Sequence, residues 1–281
     1  MGILSGLGNM GIDLKDGSLF ADEKKEKAAA AAEQKKPEEI EEEFLLKKSM
    51  ECPVCGKEFS HLAVKANRMK LLGQDIDLRP KYDPFDSLKY SAIMCHECGY
   101  SARGQAFNDI TSKQKAVIRE KIGANYRNND HDEDKTTYDY DTAIRHYQMA
   151  IACAVVKGAK NSEKAYLCLQ TAWIVRGKRE KLDKNSPTYQ DDFKECRANE
   201  TELLNNSLEG FIKARSSEDF PMCGMDENTV DYIIAALGYE CGKFDVSTRL
   251  LSELLVSKTA NTRIKDKARN LKELILEKKN Q

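Results

Sequence analysis

The chain has 281 residues with 45 basic and 46 acidic side chains, and its formal net charge of -1 lacks the basic excess of a dedicated nucleic-acid or polyanion binder. Charged residues make up 32% and hydrophobic residues 41%, enough for a substantial core under a well-solvated surface. The longest apolar runs, such as residues 149–156, fall far short of the ~20 needed to span a bilayer, and the opening residues match neither a secretory signal nor an acylation motif, so the expected location is cytoplasmic with no membrane contact.

Residues 1–20 mix glycine with spaced apolar side chains, among them Ile3, Leu4, Leu7, Met10, Ile12, Leu14, Leu19 and Phe20. They read as a flexible tail, or alternatively as a short peptide that docks on a partner. Residues 23–43 are rich in Lys, Glu and Ala and read as a solvated helix or semi-rigid spacer interrupted near Pro37. No chemistry is expected from this first segment, 1–48.

Two copies of one device follow: Cys52-Pro53-Val54-Cys55-Gly56 and Cys95-His96-Glu97-Cys98-Gly99. A CxxC turn holds two sulfurs on one side of a tight loop, and the glycine lets the backbone curl so that amide N–H groups point at them. Two such knuckles supply four soft ligands, the closed tetrahedral set of a structural Zn²⁺ site. Cys52, Cys55, Cys95 and Cys98 are therefore expected to hold one structural zinc ion, with no open position for a catalytic water. A thioredoxin-like dithiol would need a βαβ context that the sequence lacks. His96 inside the second knuckle could replace a thiol but reads as a bystander, and His61 as a surface residue. Cys153, Cys168, Cys196, Cys223 and Cys241 are scattered singly and read as small buried apolar residues in a reducing compartment.

Between the knuckles, residues 58–64 predict a strand leaving the metal and residues 87–94 a strand returning to it, while residues 68–84, with Asp75, Asp77 and Asp83 and two prolines, predict a solvated loop rather than a second cation site. Two antiparallel strands meeting at a cysteine-held metal make a zinc-ribbon-like module over 49–104, too small to fold by burial alone.

The character changes at Thr111-Ser112-Lys113-Gln114, a capping box opening a helix with Val117, Ile118 and Ile122 on one face. His131-Asp132-Glu133-Asp134 reads as a mobile acidic loop. Beyond Tyr138 the pattern is helical. Ala143, Tyr147 and Ala150 give the small–aromatic–small spacing of a second tetratricopeptide helix. Ser162 is the expected cap of the next helix, in which Trp173, the single tryptophan, packs between helices. A helix over 200–213 follows. Residues 232–239, a turn at Cys241-Gly242-Lys243-Phe244, and residues 246–256 form the best repeat-like unit, and residues 264–278 suit a cap. The helical region is 105–281, and an irregular helical bundle would show similar stripes.

The knuckles with their flanks, Cys52 to Phe59 and Cys95 to Ala102, and the late stretch from Tyr232 to Phe244 and Ala260 to Arg269, resemble a bacterial family of unknown function, domain of unknown function 2225. The resemblance implies a cytoplasmic protein of Gram-positive type with a zinc-ribbon-like head and a tetratricopeptide-like body, and it implies no reaction. Ser247 stands where the typical repeat has alanine after the aromatic turn.

The expected fold is thus mainly α: a tetratricopeptide-like helical repeat or bundle with a small N-terminal four-cysteine zinc-ribbon-like β module and a flexible N-terminal tail. No nucleophile elbow, P-loop, zinc-protease or dinucleotide motif is present. The expected function is a non-catalytic adaptor or scaffold whose helices bind a protein or peptide; the groove residues are not identifiable from sequence. The alternatives are nucleic-acid binding through the ribbon, which the near-neutral charge disfavours, and a zinc-thiolate redox sensor.

Overall fold

The computed structural model describes residues 36–128 and 132–279, so the expectations for the glycine-rich tail, for the spacer up to residue 35 and for His131 lie outside the described residues. The chain divides into two units between Glu43 and Phe44. In the first, the described part is helix α1 (Pro37–Glu42), with proline at a first-turn position where its fixed φ suits a helix and its missing N–H costs nothing. The boundary expected near residue 104 falls inside the second unit.

The second unit begins with β1 (Leu45–Glu51), which pairs antiparallel with β2 (Glu58–Val64) from Leu45↔Val64 to Glu51↔Glu58. Next come β3 (Lys70–Gln74) and β4 (Pro80–Asp83), then β5 (Ala92–Met94) and β6 (Ser101–Arg103), each pair antiparallel. The two strands expected to meet at the metal do not pair with each other. Each CxxCG turn reverses the chain, so the segment before a knuckle pairs with the segment after it. β2 therefore takes β1, which starts at Leu45 inside the first segment, 1–48, and β5 takes β6. Only Ala92–Met94 of the returning segment is strand; Ser87–Tyr90 is a 3₁₀ turn capped by Asp86, whose carboxylate accepts from Leu88 N (3.2 Å). Residues 68–84 form the β3–β4 hairpin and not a solvated loop, because Asp77 and Arg79 at its tip are buried.

The rest of the unit is helical. In α2 (Ser112–Ile118) the expected capping box is formed: Thr111 Oγ1 accepts from Gln114 N (3.3 Å), and Gln114 Oε1 accepts from Thr111 N (3.0 Å). Then follow α3 (Tyr140–Val156), α4 (Asn161–Glu180), α5 (Tyr189–Ser217), α6 (Glu227–Glu240), α7 (Phe244–Val256) and α8 (Thr262–Lys279), each packed on the next. Asp139 and Asp226 cap α3 and α6 by accepting from Thr142 N (2.7 Å) and Thr229 N (2.8 Å). Ser162 lies inside the first turn of α4. The cap there is Glu218, which follows α5 and accepts from Asn161 N (2.6 Å) and Ser162 N (3.2 Å), placing a carboxylate on the positive helix end.

One apolar core runs through the helices. Ala143, Tyr147 and Ala150 of α3 belong to the same core as Leu169 and Trp173 of α4, Phe211 of α5, Ile233 and Leu237 of α6, and Leu250 and Leu254 of α7. The turn between α6 and α7 needs Gly242 at φ +71. Across that turn, a Cβ on Gly238 would stand 2.6 Å from Ser247 Oγ. Ser247 fits this close crossing because its hydroxyl donates to Ala235 O (2.7 Å), which satisfies the one polar group it brings. No described helix is long and apolar enough to cross a membrane.

Candidate metal centre

The two knuckles have the same backbone frame. In the first, Gly56 N donates to Cys52 O and Cys52 N donates to Lys57 O, both at 2.9 Å; in the second, Gly99 N donates to Cys95 O and Cys95 N to Tyr100 O, both at 2.8 Å. The glycines have φ +75 and +71, the left-handed region that side chains disfavour. β1 delivers Cys52, β5 delivers Cys95, and the glycines fold the second cysteine of each pair back beside the first.

All four Sγ atoms lie within 4.8 Å of one another, with Cys52 Sγ 3.7 Å from Cys98 Sγ and Cys55 Sγ 3.8 Å from Cys95 Sγ. A tetrahedral ion with metal–sulfur bonds near ~2.3 Å has sulfurs about 3.8 Å apart. Disulfides require about 2.05 Å, and all nine cysteines are free thiols. The donor set and spacing therefore fit a tetrahedral thiolate-bound ion. Among the described residues this is the one group of metal-capable side chains close enough to share an ion, so the acidic side chains of residues 75–83 do not make a second site.

The thiols cannot all ionise unaided. Hydrogen bonds from Cys95 and Cys98 hold Cys52 below the ordinary thiol range, helped by the amides of Cys55 and Val54 against burial. Contact with Cys52 in turn pushes Cys95 and Cys98 above that range. A bound divalent cation would supply the positive charge that favours thiolate at all four positions.

The surroundings are dry and interlocked. Val54, Phe59, Tyr100, Phe107 and Ile118 pack around the sulfurs with Cys153 of α3. Tyr100 donates its hydroxyl to Phe107 O (2.9 Å), and Arg119 Nε donates to Val54 O inside the first knuckle. An ion pair between Lys57 and Glu97 joins the two turns at the surface. Cys153, expected as an ordinary buried residue, is a supporting one: Ser101 N donates to its sulfur (3.4 Å), while Ser101 Oγ donates to His146 O (2.8 Å), so the second knuckle's hairpin is fastened to α3. Nothing local marks that role, since the contact spans 52 residues of chain.

His96 stands outside the quartet, its ring against Phe59 and His146. His61, expected at the surface, is buried, and burial lowers its pKa, with Lys48 and His96 adding to the shift. Asp132, expected in a mobile acidic loop, is also buried: Arg145 donates to both its oxygens (2.7 and 3.0 Å) and His146 Nε2 lies at 3.3 Å.

Neither a curated protein nor a solved structure matches this chain. The family profile described as "Uncharacterized protein conserved in bacteria (DUF2225)" matches residues 45–275, from the first residue of β1 into α8. The chain belongs to that family.

Proposed function

We propose that the protein is a non-catalytic zinc-binding adaptor or scaffold, in which one structural zinc ion fixes the head and the tetratricopeptide-like helices bind a protein or peptide partner. The observation that carries the reading is the closed quartet: four protein sulfurs at tetrahedral spacing leave a metal no position for water or substrate. Stacked helices with apolar side chains turned outward give the body a surface to offer, notably Ile212 of α5, Val256 of α7 and Leu276 of α8, the last two 81% and 52% exposed. The nine free thiols suit a reducing compartment, the cytoplasm.

The test pairs metal analysis with photo-crosslinking. The purified protein is expected to carry one zinc per chain. A photoreactive residue placed at 212, 256 or 276 in living cells is expected to give discrete adducts that the same residue at exposed Glu202 does not. Metal-free yet folded protein would overturn the zinc assignment, and the absence of adducts at all three positions would overturn the adaptor.

A further inference from the structure

A cleft of about 940 Å³ lies between the β hairpins of the head and helices α4 and α6, within the range of small-molecule sites. It is separate from the metal quartet, none of whose cysteines lines it. Apolar and aromatic side chains make the larger part of its walls, Tyr82, Tyr90, Tyr166 and Trp173 among them, with uncharged polar residues between. The charged side chains that line it are Lys48, Lys65 and Arg103, and no carboxylate does. A one-signed lining among low-dielectric walls concentrates the opposite charge.

Two further features point to a ligand. Arg103 Cζ lies over the Tyr166 ring, 4.9 Å from its centroid, which places the guanidinium beside one wall, and its buried Nε has no hydrogen-bond partner. Gln170, one turn from Tyr166 on α4, is 7% exposed, and His61 of β2 is 9% exposed. Gln170 Oε1 and His61 Nδ1 are buried without partners. Unpartnered buried polar atoms cost about 1–3 kcal/mol each, and these three belong to residues that line one cleft, a concentration that ordinary packing avoids.

We infer that this cleft binds a small aromatic organic anion, its flat ring among the tyrosines and Trp173 and its anionic group on Arg103, with Lys48 adding attraction at the rim. Apolar walls alone would accept any hydrophobic molecule; the carboxylate-free cationic lining selects the anion.

The cleft contains its own reporter, because Trp173 is the only tryptophan in the chain. The probe is 1-anilinonaphthalene-8-sulfonate, compared with its uncharged counterpart N-phenyl-1-naphthylamine, titrated into the full-length, metal-loaded protein. One sulfonate probe per chain is expected, receiving energy transfer from Trp173. Arg103→Gln should weaken the sulfonate about tenfold, the scale of one hydrogen bond to a charged group, and leave the neutral probe within about twofold. Arg103→Lys should recover part of the loss. Should Arg103→Gln disturb β6, as circular dichroism would reveal, Lys48→Gln on the exposed side of β1 provides the second arm, with an expected two- to fivefold loss for the sulfonate alone, about what a partly exposed charge contributes. Equal affinity for the two probes, equal losses for both in the variants, or binding with no transfer from Trp173 would overturn the inference.

Discussion

Arg176 and Asp77 form a buried two-pronged pair, Nη2 to Oδ2 at 2.8 Å and Nη1 to Oδ1 at 3.2 Å, across 99 residues of chain. The pair pins the tip of the β3–β4 hairpin to the C-terminal part of α4. Trp173 Nε1 donates to the same carboxylate (2.9 Å), and Glu200 of α5 takes Arg176 Nε (2.7 Å), so one guanidinium ties a hairpin and two helices together. Burial works against charge on Arg176, but Asp77 and Glu200 outweigh it and raise its pKa.

Asp77→Ala should therefore be among the most damaging single changes in the protein, at about 3 kcal/mol, because it leaves the indole N–H without its acceptor and a buried cation with only Glu200 and Asp75. Urea unfolding followed by Trp173 fluorescence reads this directly, and the native emission should shift as well. A loss under about 1 kcal/mol would mean that water replaces the carboxylate and that the hairpin is only loosely held.

What is legible in the sequence is local. Both knuckles, the Thr111–Gln114 box and the α6–α7 turn announce themselves over short stretches, because each is closed by contacts between near neighbours. β1 is invisible: its side chains are mostly exposed, so it has no alternation, and it is strand only because the Cys52 turn hands it β2 as a partner. The paired acids mislead for a related reason. Asp77 finds Arg176, Asp132 finds Arg145 and Glu218 finds the start of α4, and a carboxylate in sequence shows no sign of a distant cation or helix end.

Cys98→Ser removes one ligand of the quartet, and zinc content should fall from one per chain to near zero. β5 and β6 then lose their anchor, and with them the Ser101 contacts that hold α3. Hydrogen exchange should quicken in residues 92–103 and 140–156 while residues 227–256 stay protected, since the knuckle cysteines are not part of the core around α6 and α7. Uniform loss of protection throughout would mean that head and body unfold as one.

The two knuckle glycines should respond unequally to alanine. Both incur the left-handed backbone penalty of about 1–2 kcal/mol. At Gly56 the added Cβ meets nothing closer than Glu51 Oε1 at 3.9 Å, whereas at Gly99 it would fall 2.4 Å from the Tyr126 ring. Gly56→Ala should keep zinc with a modestly lowered melting temperature, and Gly99→Ala should lose considerably more stability. Pairing Gly99→Ala with Tyr126→Ala should recover the difference if the ring is the obstacle. Equal melting points for the two single variants would rule it out.

Asp132 sets a pH dependence whose sign is fixed by its partners. Burial disfavours its charge, but hydrogen bonds from His146, Arg145 and Lys135 outweigh that and hold its carboxyl well below the ordinary carboxylate range. A carboxyl depressed in the folded state contributes stability that is fully present above its unfolded value near ~3.9 and is lost as pH falls toward the folded one. Asp132→Asn keeps the shape but not the charge, leaving Arg145 and Lys135 without this anionic partner, and should cost about 3 kcal/mol at pH 7. The gap between wild type and variant should hold steady from pH 7 to about pH 5 and narrow only below about pH 4, as the carboxyl takes up its proton in the unfolded chain while the folded one still holds its charge. Urea unfolding of both proteins at each pH measures the gap; one that widened on acidification would mean that Asp132 is already protonated in the folded protein and that Arg145 draws its stability from elsewhere.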